Sequence, residues 1–151
     1  MRAKGIRILD KKNRIVCVEL PDILEEIHDG NLFHWSILYL EATGHLGEGR
    51  SIPVFEKQVN YSTDGLFITW DDLNHLSHKF FDLMNIILIG CKNQSLLLRY
   101  ENDQVMYETC DIVIEMFDSC YWEVFSKDES LINRLAAKFQ DIKFLESDFE
   151  K

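Results

Sequence analysis

Apolar and polar positions along this chain repeat with two different periods, and together they predict a mixed fold. Residues 5–10 and 14–20 each alternate, and the polar break Lys11-Lys12-Asn13 between them predicts an N-terminal β-hairpin. Pro21-Asp22-Ile23-Leu24-Glu25-Glu26 reads as one helical turn, ended by Asp29-Gly30-Asn31. The aromatic and aliphatic run 33–42 predicts a long strand, followed by a loop over 43–51 that holds Gly44, Gly47 and Gly49. Residues 52–61 and 66–70 flank Ser62-Thr63-Asp64-Gly65, where the Asp-Gly step predicts a tight turn between antiparallel strands.

A long helix is expected next. At about 100° per residue, Leu73, Leu76, Phe80, Leu83 and Ile87 share one face, with Asp71 and Asp72 at the positive end and Gly90 as a stop. Residues 95–100, 104–108, 111–117 and 121–125 read as strands, with turns at Glu101-Asn102-Asp103 and Asp118-Ser119-Cys120. Ser126 and Glu129 have the spacing of a capping box, which opens a second helix with Leu131, Leu135 and Phe139 as its buried stripe. Residues 146–151 are polar and read as a frayed tail. The expected fold is α+β: one domain over 1–151, a mostly antiparallel β-sheet with two packed α-helices.

Composition narrows the class. A chain of 151 residues with 46% apolar side chains can bury a core, which excludes a disordered tail. No apolar run approaches the ~20 residues of a membrane helix. The basic N-terminus lacks an apolar signal core, so secretion is not expected. Cys17, Cys91, Cys110 and Cys120 have no CxxC spacing and read as sitting inside apolar segments, so reduced core thiols and a cytoplasmic location are expected.

Charge narrows the partners. The chain carries 26 acidic against 16 basic side chains, a net of −10. Six of the basic ones (Arg2, Lys4, Arg7, Lys11, Lys12 and Arg14) lie in the first fourteen residues, which leaves the remainder more acidic still. Such a surface repels nucleic acid and anionic membrane and attracts basic proteins by long-range steering. The basic N-terminal residues read as a solvated hairpin edge that discourages strand pairing with other chains.

Residues with the spacing of a site are few. Asp71, His75 and His78 stand at i, i+4 and i+7 of the expected helix, with Asp82 one further turn on, opposite its apolar face. Two imidazoles and a carboxylate one turn apart have the donor set for Zn²⁺. An exposed helix face excludes no water, however, so a partner-facing stripe is the preferred reading and no metal or other cofactor is expected. Glu101 and Asp103, at an expected loop tip, complete the candidate contact set. The loop Gly44-His45-Leu46-Gly47-Glu48-Gly49-Arg50 lacks the Lys-Ser/Thr of a phosphate-binding loop. Ser119 and Cys120 have no nearby histidine to serve as base. No complete catalytic motif is present, and no enzymatic activity is expected. Trp35, Trp70 and Trp122 are expected in the core.

Two stretches carry a resemblance. Trp35-Ser36-Ile37-Leu38-Tyr39-Leu40-Glu41-Ala42 runs through the glycine loop to Gly65-Leu66-Phe67-Ile68-Thr69-Trp70-Asp71-Asp72-Leu73, and Phe117-Asp118-Ser119-Cys120-Tyr121-Trp122-Glu123-Val124 precedes the capped helix. In this style the chain resembles the small cytoplasmic immunity proteins of bacterial polymorphic toxin systems, including contact-dependent growth inhibition. The resemblance implies that the chain binds the toxin domain of a cognate effector, often a basic nuclease, and blocks its active site or its access to substrate. Acidity in an inhibitor agrees with that, since it mimics a polyanion and speeds encounter. A non-toxin interaction domain with a basic partner is the alternative, and a metal-dependent enzyme a further one.

Overall fold

The computed structural model describes residues 4–146. Seven strands form one sheet in the order β5-β4-β6-β7-β8-β1-β9: β1 (Lys4–Ile8), β4 (His34–Gly44), β5 (Leu66–Ile68), β6 (Phe80–Cys91), β7 (Ile112–Phe117), β8 (Tyr121–Ser126) and β9 (Ile142–Glu146). Every neighbouring pair is antiparallel. A separate ribbon joins β2 (Lys11–Lys12) and β3 (Ile15–Val16). Among the described residues five α-helices accompany the strands: α1 (Leu20–Leu24), α2 (Ile52–Asn60), α3 (Trp70–Ser77), α4 (Asp103–Thr109) and α5 (Glu129–Lys138). The α+β, mostly antiparallel expectation holds, but five helices replace the two expected.

Helices flank both faces of the sheet. On one face Ile8, Trp122, Ile114, Leu88 and Ile37, one from each of five strands, pack with Ile23 of α1, Phe55 of α2, Leu73 and Leu76 of α3 and Leu135 of α5. On the other, α4 and the segment leading to it close a smaller core of Leu38, Ile89, Val113 and Phe125 with Leu97, Met106 and Tyr107. Strands covered on both sides are apolar at nearly every position, which erases the period-two signal.

The expected long helix over 71–90 is accordingly a helix followed by a strand. Over 80–91 only Asp82 and Asn85 interrupt the apolar run, so a helical period can be drawn through it as readily as any other. The helix ends at Ser77: Ser77 Oγ donates to the Asn74 carbonyl at 2.7 Å, and Lys79 N–H bonds back to Leu76 O at 2.9 Å in a tightened last turn. Phe80, Leu83 and Ile87 then lie on β6, paired with β4 along its length, and Gly90 is no helix stop but a strand residue against the Trp35 ring.

The reverse holds at 52–61 and 104–108, expected as strands and helical in the structure. Ser51 Oγ accepts from Val54 N–H and Pro53 occupies the first turn of α2, a position proline tolerates and a sheet interior does not. Asn102 Oδ1 accepts from Val105 N–H at 2.9 Å and caps α4, so Glu101-Asn102-Asp103 is a helix start. Residues 95–100 are not a strand; they include a short 3₁₀ turn, Gln94–Leu96. The N-terminal hairpin also differs: β1 inserts between β8 and β9, and only the small β2–β3 ribbon turns back, through Asn13 and Arg14 at positive φ. Asp128, not Ser126, caps α5 by accepting from Ser130 N–H at 3.0 Å; Ser126 Oγ instead accepts from Asp128 N–H. Glu146 ends β9, and the rest of the expected tail, 147–151, lies outside the described residues.

The single turn at Pro21 (α1), the strands at 33–42, 111–117 and 121–125, the turn at Asp118-Ser119-Cys120 and the stripe Leu131/Leu135 are as expected. Trp35 and Trp122 are buried, whereas Trp70 is only half-buried. All four cysteines are free thiols, but Cys17 and Cys120 are exposed; only Cys91 and Cys110 belong to the core. None of the described helices is long and apolar enough to cross a membrane.

Candidate partner-docking cleft

An open cleft of about 830 Å³ surrounds β5, at one end of the sheet. Its floor is aromatic. Trp35 donates its indole N–H to the Gly30 carbonyl at 2.8 Å, which fixes the ring under the sheet end. Trp70, at the first position of α3, stacks on it with centroids 5.2 Å apart, and Phe33 meets it edge-on at 5.9 Å. Glycine is required at position 30, because a Cβ there would run into the Trp70 ring.

The polar wall comes from the start of α3. Thr69 Oγ1 accepts from Asp72 N–H at 3.1 Å and caps the helix, so the chain turns out of β5 and presents Asp71 and Asp72 to solvent. Both carboxylates stand in the first turn, at the positive end of the helix dipole. Neither has an ion-pair partner among the described residues. His75 is exposed one turn further on and lines the same cleft. Arg50, whose guanidinium lies 5.9 Å from the Phe55 ring centroid, and Lys79 line it too.

The six expected contact residues are therefore divided. Asp71 and His75 share the cleft around β5. His78 is the exposed C-cap residue of α3. Asp82 sits on β6 rather than a helix, and lines a separate groove of about 300 Å³ with Ile15 and Phe81. Glu101 and Asp103 are exposed at the start of α4. The stripe is broken because α3 ends before Asp82, and no group of three or more candidate ligands converges for a metal among the described residues. Phe67, Trp70 and Asp72 were missed as site residues. Thr69 three positions before Asp72 is the capping signal that would have ended β5 there and placed Trp70 at a helix start.

A second polar cluster lies in the sheet face under α4. Glu115 and Glu123 are direct cross-strand partners and both are buried, at 1% and 7% exposure. Arg7 closes on Glu123, with Nε and Nη2 each 2.6 Å from Oε2, and its guanidinium lies 4.5 Å from the Tyr121 ring centroid. Tyr107 donates to Glu115 Oε1 at 2.6 Å while its ring stacks on Phe125, 4.0 Å centroid to centroid. Burial pushes the Glu115 carboxyl up to about 8 against the pull of the Tyr107 hydrogen bond, and the nearby Asp103 and Glu123 add to the rise. At neutral pH one carboxyl is thus mostly neutral and the other is paired. The buried polar atoms of the cluster are all hydrogen-bonded, and Arg7 reaches solvent with about a third of its side chain.

Compared with protein-family models, curated proteins and solved structures, the chain matches none.

Proposed function

We propose that this chain is an acidic binding protein that neutralises a basic protein partner, and that the partner is the toxin domain of a polymorphic or contact-dependent growth inhibition effector, a nuclease by preference, met in the bacterial cytoplasm. The observation that carries this reading is the cleft around β5: an exposed aromatic, Phe67, at 55% exposure, beside unpaired carboxylates, in a chain of net charge −10. An aromatic anchor rimmed by charge is the composition of a protein-docking site. Excess acid speeds capture of a cationic partner and penalises wrong ones. On this reading the protein has no turnover of its own, binds no cofactor and uses Asp71 and His75 as contacts.

The test is purification from the source cells with the full chain as bait at low salt, followed by co-expression of the recovered partner. The expected result is one stoichiometric fragment from the C-terminus of a large secreted protein, toxic alone and harmless with this chain. Its affinity should fall as salt rises to physiological strength, because exposed charges are screened over ~8 Å. A stable partner without toxicity would move the function to a scaffold, and turnover abolished by His75→Ala would overturn it.

A further inference from the structure

Part of the outer edge of the sheet is capped by side chains of the chain itself. Beyond the reach of β5, the outer side of β4 is capped by side chains. Asn60 accepts from Leu40 N–H at 2.9 Å and donates to Leu40 O at 3.0 Å. Glu56 accepts from Ala42 N–H at 2.7 Å, and Arg99 donates to Leu38 O at 2.6 Å. The opposite edge strand, β9, carries Lys143 and Glu146. These are recognised means of keeping foreign strands away. The edge strand β5 carries no charge and no side-chain cap among the described residues, only its short length. It reads Leu-Phe-Ile, it ends the strand order, and among the described residues nothing bonds to its outer side.

We propose that the outer edge of β5 takes an extended, cationic segment of a partner protein as an added strand, with Phe67 as its anchor and Asp71 and Asp72 as its charge contacts. This rests on the binding function proposed above and names its mode. The cleft runs round β5: Phe67 opposes Ser36 and so belongs to the sheet face opposite that of its neighbours Leu66 and Ile68, and all three line the opening. An added strand fits that shape, since its side chains alternate to both faces. A three-residue strand offers few outward backbone groups, so backbone pairing sets the register and side chains supply the affinity. Lys79 follows the far end of α3 and Arg50 lies against α2, which places the cationic residues of the occupant at the Asp71–Asp72 end. A second copy of this chain is disfavoured as occupant, because each copy carries −10.

Random decapeptides displayed on phage, selected against the full chain at low salt, provide the probe. Enriched peptides should be rich in Lys and Arg, lose at least tenfold in affinity on Asp71→Asn/Asp72→Asn and on Phe67→Pro, and bind Val105→Lys, a change at an exposed position on α4, unchanged. Phe67→Lys, at an exposed side chain, guards against a proline variant that fails to fold and should lose as much. Amide hydrogen exchange at 66–68 should slow on binding. No enrichment, equal binding to Phe67→Lys, unslowed amides, or a self-dimer abolished by Phe67→Lys would each overturn the proposal. A neutralised toxin domain indifferent to Phe67→Lys would remove this mode and leave the proposed function. Cationic peptides bound at β5 with no toxin neutralised would do the opposite.

Discussion

The two faces of the sheet are closed in different ways. The face under α1, α3 and α5 is sealed by aliphatic and aromatic side chains from five strands, whereas the face under α4 buries two glutamates, an arginine contact and a tyrosine hydroxyl within its apolar packing. The first gains free energy by removing apolar area from water, which is nearly independent of pH. The second must satisfy each polar atom to break even, and it does: no buried side-chain nitrogen or oxygen among the described residues lacks a hydrogen bond. Stability should therefore be large and pH-insensitive on one side, and smaller and pH-dependent on the other.

That contrast breaks first at Trp122. Trp122→Ala opens a cavity and leaves the Val18 carbonyl without the indole N–H it accepts at 2.8 Å, so a loss of about 4 kcal/mol is expected in denaturant unfolding. Arg7→Ala should cost less, about 2 kcal/mol, by leaving the Glu123 carboxylate buried without its cation; the value is discounted because Arg7 is about a third exposed. Adding Glu123→Gln to it should recover most of that loss, and no recovery would mean that packing on Tyr121 dominates.

Glu115→Gln sharpens the pH side. The folded carboxyl, near 8, is raised above its unfolded value, so its contribution is fully present below about pH 4.3 and is lost as pH rises through 8. The variant should match the parent within about 0.5 kcal/mol at low pH, be the more stable one at pH 9, and show a flatter melting temperature between. Smallest of all, His75→Ala should change stability by no more than about 0.5 kcal/mol, since the side chain is exposed. A larger loss would place His75 in a structural role and remove it from the docking surface.

Legibility followed local chemistry. The turn at Asp118-Ser119-Cys120 was readable because residues that tolerate positive φ stand between two apolar runs, and both Asp118 and Ser119 adopt it. Helix α2 carries the same kind of local signal in Ser51 and Pro53, which the strand expectation over 52–61 does not use. The break after Ser77 was not readable, because apolar residues of β6 fall on both faces, interrupted only by Asp82 and Asn85, and carry no clear period of their own. The candidate site divided along the same line. Asp71 and His75 were identified from i, i+4 spacing, which survives as long as the helix does; Asp82 depended on the helix continuing, and was lost with it.

The sequence by itself determined the acidic surface, the antiparallel α+β class, most of the two-sided strands and the carboxylates at the start of α3. These are properties of composition, caps and turns, which act over a few residues. Only the tertiary structure decided which strand lies at the edge, that β1 crosses to sit between β8 and β9, and that Phe67 is left in the open in the cleft that Asp71 also lines. Edge and centre differ in who their neighbours are, and contacts between residues distant in the chain leave no pattern in either one's local sequence.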